Sequence, residues 1–201
     1  MIDYLGDAWA ALSIAEAAGV SLAIAYVILA IRQNILCWAA ALASALIFMA
    51  VFHTALLYLQ AALQIFYAGM AVYGWHQWRY AGDQGTGVSV HTWKMVRHVR
   101  VVAGIAAVTL LVGWVMSRTD APFPYVEALV TVAAIVTTFM MARKVLEAWI
   151  YWLAIDSISI NLYLARELYL TALLFTLYLV LSVLGFLRWR RDYLGGRRLS
   201  P

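Results

Sequence analysis

The segment AWIYWLAIDSISINLYLA, residues 148–165, carries one carboxyl group, Asp156, near the middle of an otherwise apolar run. An ionised carboxylate at that depth in a bilayer is costly unless it faces a wet cavity or a cation. Trp149, Trp152 and Asp156 are spaced by three and four residues, so a helix puts them on one face, and Ser159 and Tyr163 continue the stripe. Two indoles beside a carboxyl suit a flat cationic ring. Indole faces attract cations, and the acid supplies charge or accepts hydrogen bonds. The plainer reading is a bundle core in which a basic or hydroxyl neighbour satisfies Asp156. The depth of the acid favours the site.

A second polar stripe is Gln60, Gln64 and Tyr67, again spaced by four and three. Interhelical hydrogen bonding alone would explain such residues, at only about 0.6–2 kcal/mol per contact. Substrate contact is expected of Gln64 and Tyr67 first and of Gln60 less. Asn161 fits a gate or a kink equally well. Glu16 is another acid in an apolar run but sits nearer its end, and His53 falls in a short turn. No Ser, His and acid residues have nucleophile-and-base spacing, so nothing points to a hydrolase. Cys37 is the single cysteine, which excludes an intrachain disulfide and a cysteine-rich metal site. Gly82, Gly85 and Gly87 are scattered and follow no strand, so they make a weak phosphate loop.

The elements that must position these residues are membrane helices. The chain is 66% hydrophobic and 12% charged, whereas soluble domains are nearer half apolar and a quarter charged. Seven apolar stretches can be read, at about 10–31, 35–53, 55–75, 99–117, 122–141, 146–165 and 168–187. Each approaches the roughly 20 residues that span the hydrocarbon core. With the N-terminus outside, twelve Lys and Arg residues fall inside: Arg32; Arg79, Lys94, Arg97 and Arg100; Arg143 and Lys144; and Arg188, Arg190, Arg191, Arg197 and Arg198. Only Arg118 and Arg166 fall outside. This asymmetry predicts an N-out, C-in orientation. It also explains the net charge of +4 without a nucleic-acid partner. The start, MIDYLGD, lacks the basic region of a cleavable signal, so the first helix is expected to insert as it stands. Asp120-Ala121-Pro122 reads as a tight outer turn with Pro122 opening a helix. The stretch from His76 to His98 reads as a cytoplasmic connector with a short amphipathic piece. Trp75, Trp78 and Trp189 fall where an inner aromatic belt is expected.

The chain also contains itself twice. Residues 32–79 align without a gap on residues 143–190, and 15 of the 48 pairs are identical, including Trp38 with Trp149, Gly74 with Gly185 and Trp78 with Trp189. Three helices, one linking helix and three helices start both triplets on the same side. The expected fold is therefore an all-α integral membrane protein of seven transmembrane helices, a 3+1+3 parallel pseudo-repeat like that of the SWEET transporters. Its parts are a first bundle (1–79), a loop and linking helix (80–120), a second bundle (121–190) and a basic tail (191–201). A duplicated bundle points first to a transporter. The copies differ where polar residues sit: Ala41 matches Trp152, Ala45 matches Asp156, and Gln60, Gln64 and Tyr67 match Thr171, Phe175 and Tyr178. Trp38 could line the same cavity. The mismatches suit a small, flat molecule held asymmetrically. Gly74 and Gly185 are read as positions of close packing or bending.

The stretches LLYLQAALQIFYAGMAVYGWHQW and EAWIYWLAIDSISINLYLARELYLTALLFTLYLVLSVLGFLRW resemble the PnuC family of bacterial vitamin transporters, over nearly all of residues 30–190. The resemblance implies a seven-helix fold opposite in orientation to the SWEET proteins, and a homotrimer in the inner membrane. It implies uptake of nicotinamide riboside by facilitated diffusion, retention through a separate cytosolic kinase, and supply of NAD synthesis. The family motif W-x-x-W-x-x-x-N falls on Trp149, Trp152 and Asp156, with an acid in place of asparagine. Its glutamine and tyrosine fall on Gln64 and Tyr67. The substrate ring is expected between Trp149 and Trp152. Ionised aspartate only accepts hydrogen bonds, which suits the amide N–H and cationic ring of nicotinamide riboside and equally the cationic thiamine carried by related members. No cofactor, metal or catalytic residue is expected. The rival readings are a thiamine transporter, a membrane scaffold or sensor acting through the connector and tail, and, more distantly, an intramembrane enzyme. Proton coupling through Asp156 or Glu16 is a further possibility.

Overall fold

The computed structural model describes residues 14–54, 56, 58–82, 87–119 and 122–199. Seven helices follow in order: α1 (Ile14–Ile31), α2 (Leu36–Thr54), α3 (Tyr58–Tyr80), α4 (Met95–Met116), α5 (Pro124–Ala142), α6 (Ala148–Ala165) and α7 (Tyr169–Leu199). Helices are the expected outcome, because a backbone among lipid tails must satisfy its own hydrogen bonds. All but α3 are long and apolar enough to cross a membrane, six among the described residues. α3, at 23 residues, is long enough to span but less apolar than the others, because Gln60 and Gln64 near its start, and His76, Gln77 and Arg79 near its end, dilute its apolar character. Asp120 and Ala121 lie outside the described residues. The helix after them opens at Pro124 instead of Pro122, with proline in its first turn, where a missing N–H costs nothing.

The chain divides into two compact units, Met1–Ser89 and Val90–Pro201. In the first, α2 packs on both α1 and α3. The Ser44 hydroxyl donates to the Gly19 carbonyl at 2.9 Å and ties α2 to α1. In the second, α4 packs on α5, α5 on α6 and α6 on α7. The linking helix therefore belongs with the second unit. Its buried residues Ile105, Thr109 and Gly113 recur every four positions. Gly113 lets Tyr125 come close: a Cβ there would stand 2.4 Å from the ring. α5 is the most enclosed helix, with small residues such as Ala128, Ala133, Ala134 and Ala142 among its buried positions.

Several local geometries recur 111 residues apart. Gln33 and Lys144 both take positive φ (53° and 51°), as do Leu56 and Glu167 (both 59°). Each follows a helix end. Gln33 and Asn34 donate back to Ala30 and Leu29, and Lys144 and Val145 donate back to Met141 and Met140. This is the Schellman closure, here without its usual glycine. Trp38 lies over Gly74, where an added Cβ would stand 2.3 Å from the indole, and meets Trp78 edge-on at 5.5 Å and 88°. Trp149 lies over Gly185, at 2.6 Å by the same measure, and meets Trp189 edge-on at 5.4 Å and 89°. Such T-shaped pairs contribute about 0.5–1.5 kcal/mol beyond area burial. The aromatic-belt expectation is thus corrected for Trp78 and Trp189, which are buried, while Trp75 is exposed. The two glycines exist to admit an indole.

Between α3 and α4 the described residues form no helix. Instead, residues 90–94 form a strap on the α5–α6 turn. His91 N–H donates to the Lys144 carbonyl, and Leu146 N–H donates to the His91 carbonyl at 2.8 Å. Trp93 N–H donates to Glu147. At the other end of the unit, Arg166 beyond α6 forms an ion pair with Glu127 in the first turn of α5.

Candidate functional site

The residues of the α6 stripe are engaged by two different neighbours. Trp149, Asp156 and Tyr163, spaced by seven, face α7. Trp149 rests on Gly185 and Trp189. Asp156 accepts a hydrogen bond from the Ser182 hydroxyl at 3.1 Å. Tyr163 stacks on Phe175 at 5.1 Å and 28°, and Phe175 in turn meets Tyr178 edge-on. Trp152 instead packs, half-buried, against the cluster of Ile105, Val132, Ala133 and Ile155 supplied by α4, α5 and α6. One face of Trp149 is therefore covered by Gly185, and it is Trp152 that retains more exposure. Asp156 is only 2% exposed. Ser159 is fully buried, and neither its Oγ nor Trp149 Nε1 has a protein hydrogen-bond partner. Buried polar atoms are normally satisfied. Here one acceptor and two unspent donors lie on one side of α6. That set can hold a ligand bearing both N–H donors and oxygen acceptors.

The first unit supplies no such cluster at the equivalent place. Ala45 and Ala71, both buried, stand 111 residues before Asp156 and Ser182. A pair of alanines in one copy is thus a hydrogen-bonded acid and hydroxyl in the other. Trp38 is buried against Tyr26, Gly74 and Trp78, with its Nε1 also unpartnered. Gln64 and Tyr67 are half-buried on α3, and Tyr67 meets Phe66 edge-on. Gln60 is exposed in the first turn of α3.

Ser182 is the residue that sequence reasoning missed. The signal was present: Ala71 against Ser182 is a small-to-polar mismatch in the register that exposed Ala45 against Asp156. Asn161 neither gates nor faces the stripe. It is exposed, and its amide donates to the Ser157 carbonyl one turn back.

The sequence profile of the nicotinamide mononucleotide transporter family matches residues 13–191. The chain belongs to this family, the PnuC family. It is thus a multi-span membrane transporter, and family membership supports the transporter reading over the scaffold and intramembrane-enzyme rivals. Among PnuC-family relatives, a riboflavin/roseoflavin transporter, RibM of Streptomyces davaonensis, is 28% identical over 174 residues, covering 82% of this chain and 80% of that protein. The nicotinamide riboside transporter PnuC of Escherichia coli K12 is 23% identical over 160 residues, 66% of each chain. The crystal structure of a vitamin B3 transporter PnuC superposes with a TM-score of 0.68 at 20% identity, over 87% of this chain and 79% of that one. The fold is therefore the PnuC fold.

Proposed function

We propose that the protein takes up nicotinamide riboside by facilitated diffusion. The observation that carries this reading is the Asp156–Ser182 pair, buried in a membrane helix where the matching positions of the other copy are alanines. Among the described residues Asp156 forms no ion pair; a buried carboxyl without one is costly to keep, and a cationic substrate gives it a partner. Nicotinamide riboside brings a positive ring and an amide N–H2, both matched to an acceptor. In this reading Asp156 takes the amide end and Ser159 and Trp149 Nε1 offer donors. Trp152 supplies the mobile aromatic face and Trp149 the fixed one, with Tyr163 below. Gln64, Tyr67 and, more weakly, Gln60 and Trp38 are assigned to substrate recognition from the first unit.

Riboflavin is the second reading, favoured by the RibM relative, which is more similar over a longer span. Its ring is neutral, and its single imide N–H lies between two carbonyl oxygens that a carboxylate would repel. The acid at position 156 therefore favours the cationic vitamin. Thiamine, also cationic, remains the rival on charge alone. The wider proposal keeps seven spans in a 3+1+3 parallel arrangement, N-out and C-in, in the inner membrane as a homotrimer. A cytosolic kinase would trap the product and feed NAD synthesis. Competition among the three vitamins in proteoliposomes separates these substrates. Uptake inhibited by thiamine or riboflavin and never by nicotinamide riboside removes the leading assignment.

A further inference from the structure

A groove of about 460 Å³ opens on the second unit, on a side of α6 turned away from Asp156 and Ser182. Ala154, Ile155 and Ile158 of α6 form one wall, and Ile105 of α4 and Ala133 of α5 form others. Every lining residue is apolar except His98, Glu147 and Tyr151, which gather at one end. There His98 Nδ1 lies 3.1 Å from the Tyr151 hydroxyl and Nε2 3.8 Å from Glu147. Glu147 is further engaged by the Trp93 backbone N–H. The groove's one carboxylate is thus occupied by its neighbours. Beside that end stand Lys94, next to the lining residue Met95, and Arg97, held over the Trp93 ring at 3.9 Å, a ring that lies 5.9 Å from His98; both cations are exposed. Arg143 and Lys144 lie on the turn that the 90–94 strap grips.

A vitamin bearing a ribose or ribityl chain finds nothing to bond along such walls, since a buried polar group without a partner is costly. A hydrocarbon chain fits them. The excess of cations at the open end asks for an anion at the head of that chain. We propose that this groove is a binding site for an anionic phospholipid, one acyl chain along α6 and the phosphate between Lys94 and Arg97. Basic pockets between membrane helices hold lipid phosphates in this manner. In the orientation proposed above, the lipid belongs to the cytoplasmic leaflet. It would brace α4 against α6, which otherwise meet mainly through α5.

The test is native mass spectrometry of the purified full chain, titrated with phosphatidylglycerol or phosphatidylcholine. The wild type should bind a first phosphatidylglycerol well ahead of phosphatidylcholine. Replacing Lys94 and Arg97 together by Gln, both on an exposed surface, should erase that preference at about fivefold per charge removed. Ala154→Phe, which fills the groove from an exposed position, should remove the first tightly bound lipid of either kind. Unchanged phosphatidylglycerol preference in the double Gln variant overturns the proposal. So does a groove-filled variant that changes oligomeric mass and keeps its lipid, because the groove would then be covered by a second copy.

Discussion

Gly185→Ala is the perturbation with the best-defined geometry. The new Cβ would stand 2.6–2.7 Å from three atoms of the Trp149 ring. Ordinary contact starts near 3.4 Å, so the indole or α7 must retreat by roughly 0.7–0.8 Å. Overpacking of this kind costs about 1–3 kcal/mol. For a chain of this size each kcal/mol lowers the melting point by about 2–4 °C, so a fall of roughly 2–12 °C is expected. Gly74→Ala is the internal control, because its Cβ would meet Trp38 at 2.3–2.5 Å, a slightly worse overlap. The two variants should therefore lose comparable stability, read by thermal unfolding of the purified protein. They should differ in uptake. Displacing Trp149 moves a wall beside Asp156, whereas displacing Trp38 disturbs a copy whose matching residue is Ala45. Gly185→Ala should lose uptake well beyond its loss of folded protein, and Gly74→Ala, which displaces the more weakly assigned Trp38, should lose clearly less. Melting points of both variants within about 1 °C of wild type would refute the packing argument. Equal residual losses of uptake would refute the placement of the substrate apparatus in the second copy.

Three further outcomes are expected. A double-mutant cycle of Asp156→Ala and Ser182→Ala should show coupling of about 1–3 kcal/mol in stability, since each single change leaves a buried polar partner behind; additive effects would mean the 3.1 Å bond contributes nothing. Ala45→Asp should lower the yield of folded protein, and adding Ala71→Ser should recover about 1 kcal/mol by rebuilding the pair; no recovery would show that the copies differ in local geometry. Glu127→Gln should change stability by at most about 1 kcal/mol, because its ion pair with Arg166 is partly exposed, and a large fall in melting point would show that the pair locks α5 to α6.

Much of the scaffold was legible in the sequence because bilayer physics leaves few options. Long apolar runs became helices, most with ends within about five residues of the hydropathy edges, whereas α7 runs on to Leu199, far past its apolar run. The third run is less apolar than the rest because Gln60 and Gln64 interrupt it, and those same amides marked one of its faces as a candidate for substrate contact. The turns were not legible: Gln33, Lys144, Leu56 and Glu167 take left-handed backbone without glycine, so the closing hydrogen bonds leave no residue-type signal. The belt reading of Trp78 and Trp189 failed for a similar reason. Their position along the helix suggested a membrane interface, but Gly74 and Gly185 draw Trp38 and Trp149 in close, and the later tryptophans complete that packing. At the candidate site, Asp156 stood out because a carboxyl in hydrocarbon is rare. Ser182 did not, because a lone serine in a membrane helix is common and gains meaning only from the acid it bonds.

The central claim is that a carboxyl at position 156 selects a cationic vitamin, and it is tested most directly by uptake of labelled nicotinamide riboside into proteoliposomes. Wild type should accumulate the label to equilibrium, and excess riboflavin should compete poorly. Asp156→Asn keeps an acceptor but loses the charge, and should weaken apparent affinity by roughly 5–10-fold, the difference of about 1–1.5 kcal/mol between a charge-assisted and a neutral hydrogen bond. Wild-type uptake blocked by riboflavin at low concentration, with Asp156→Asn transporting nicotinamide riboside as well as the native protein, would contradict the account.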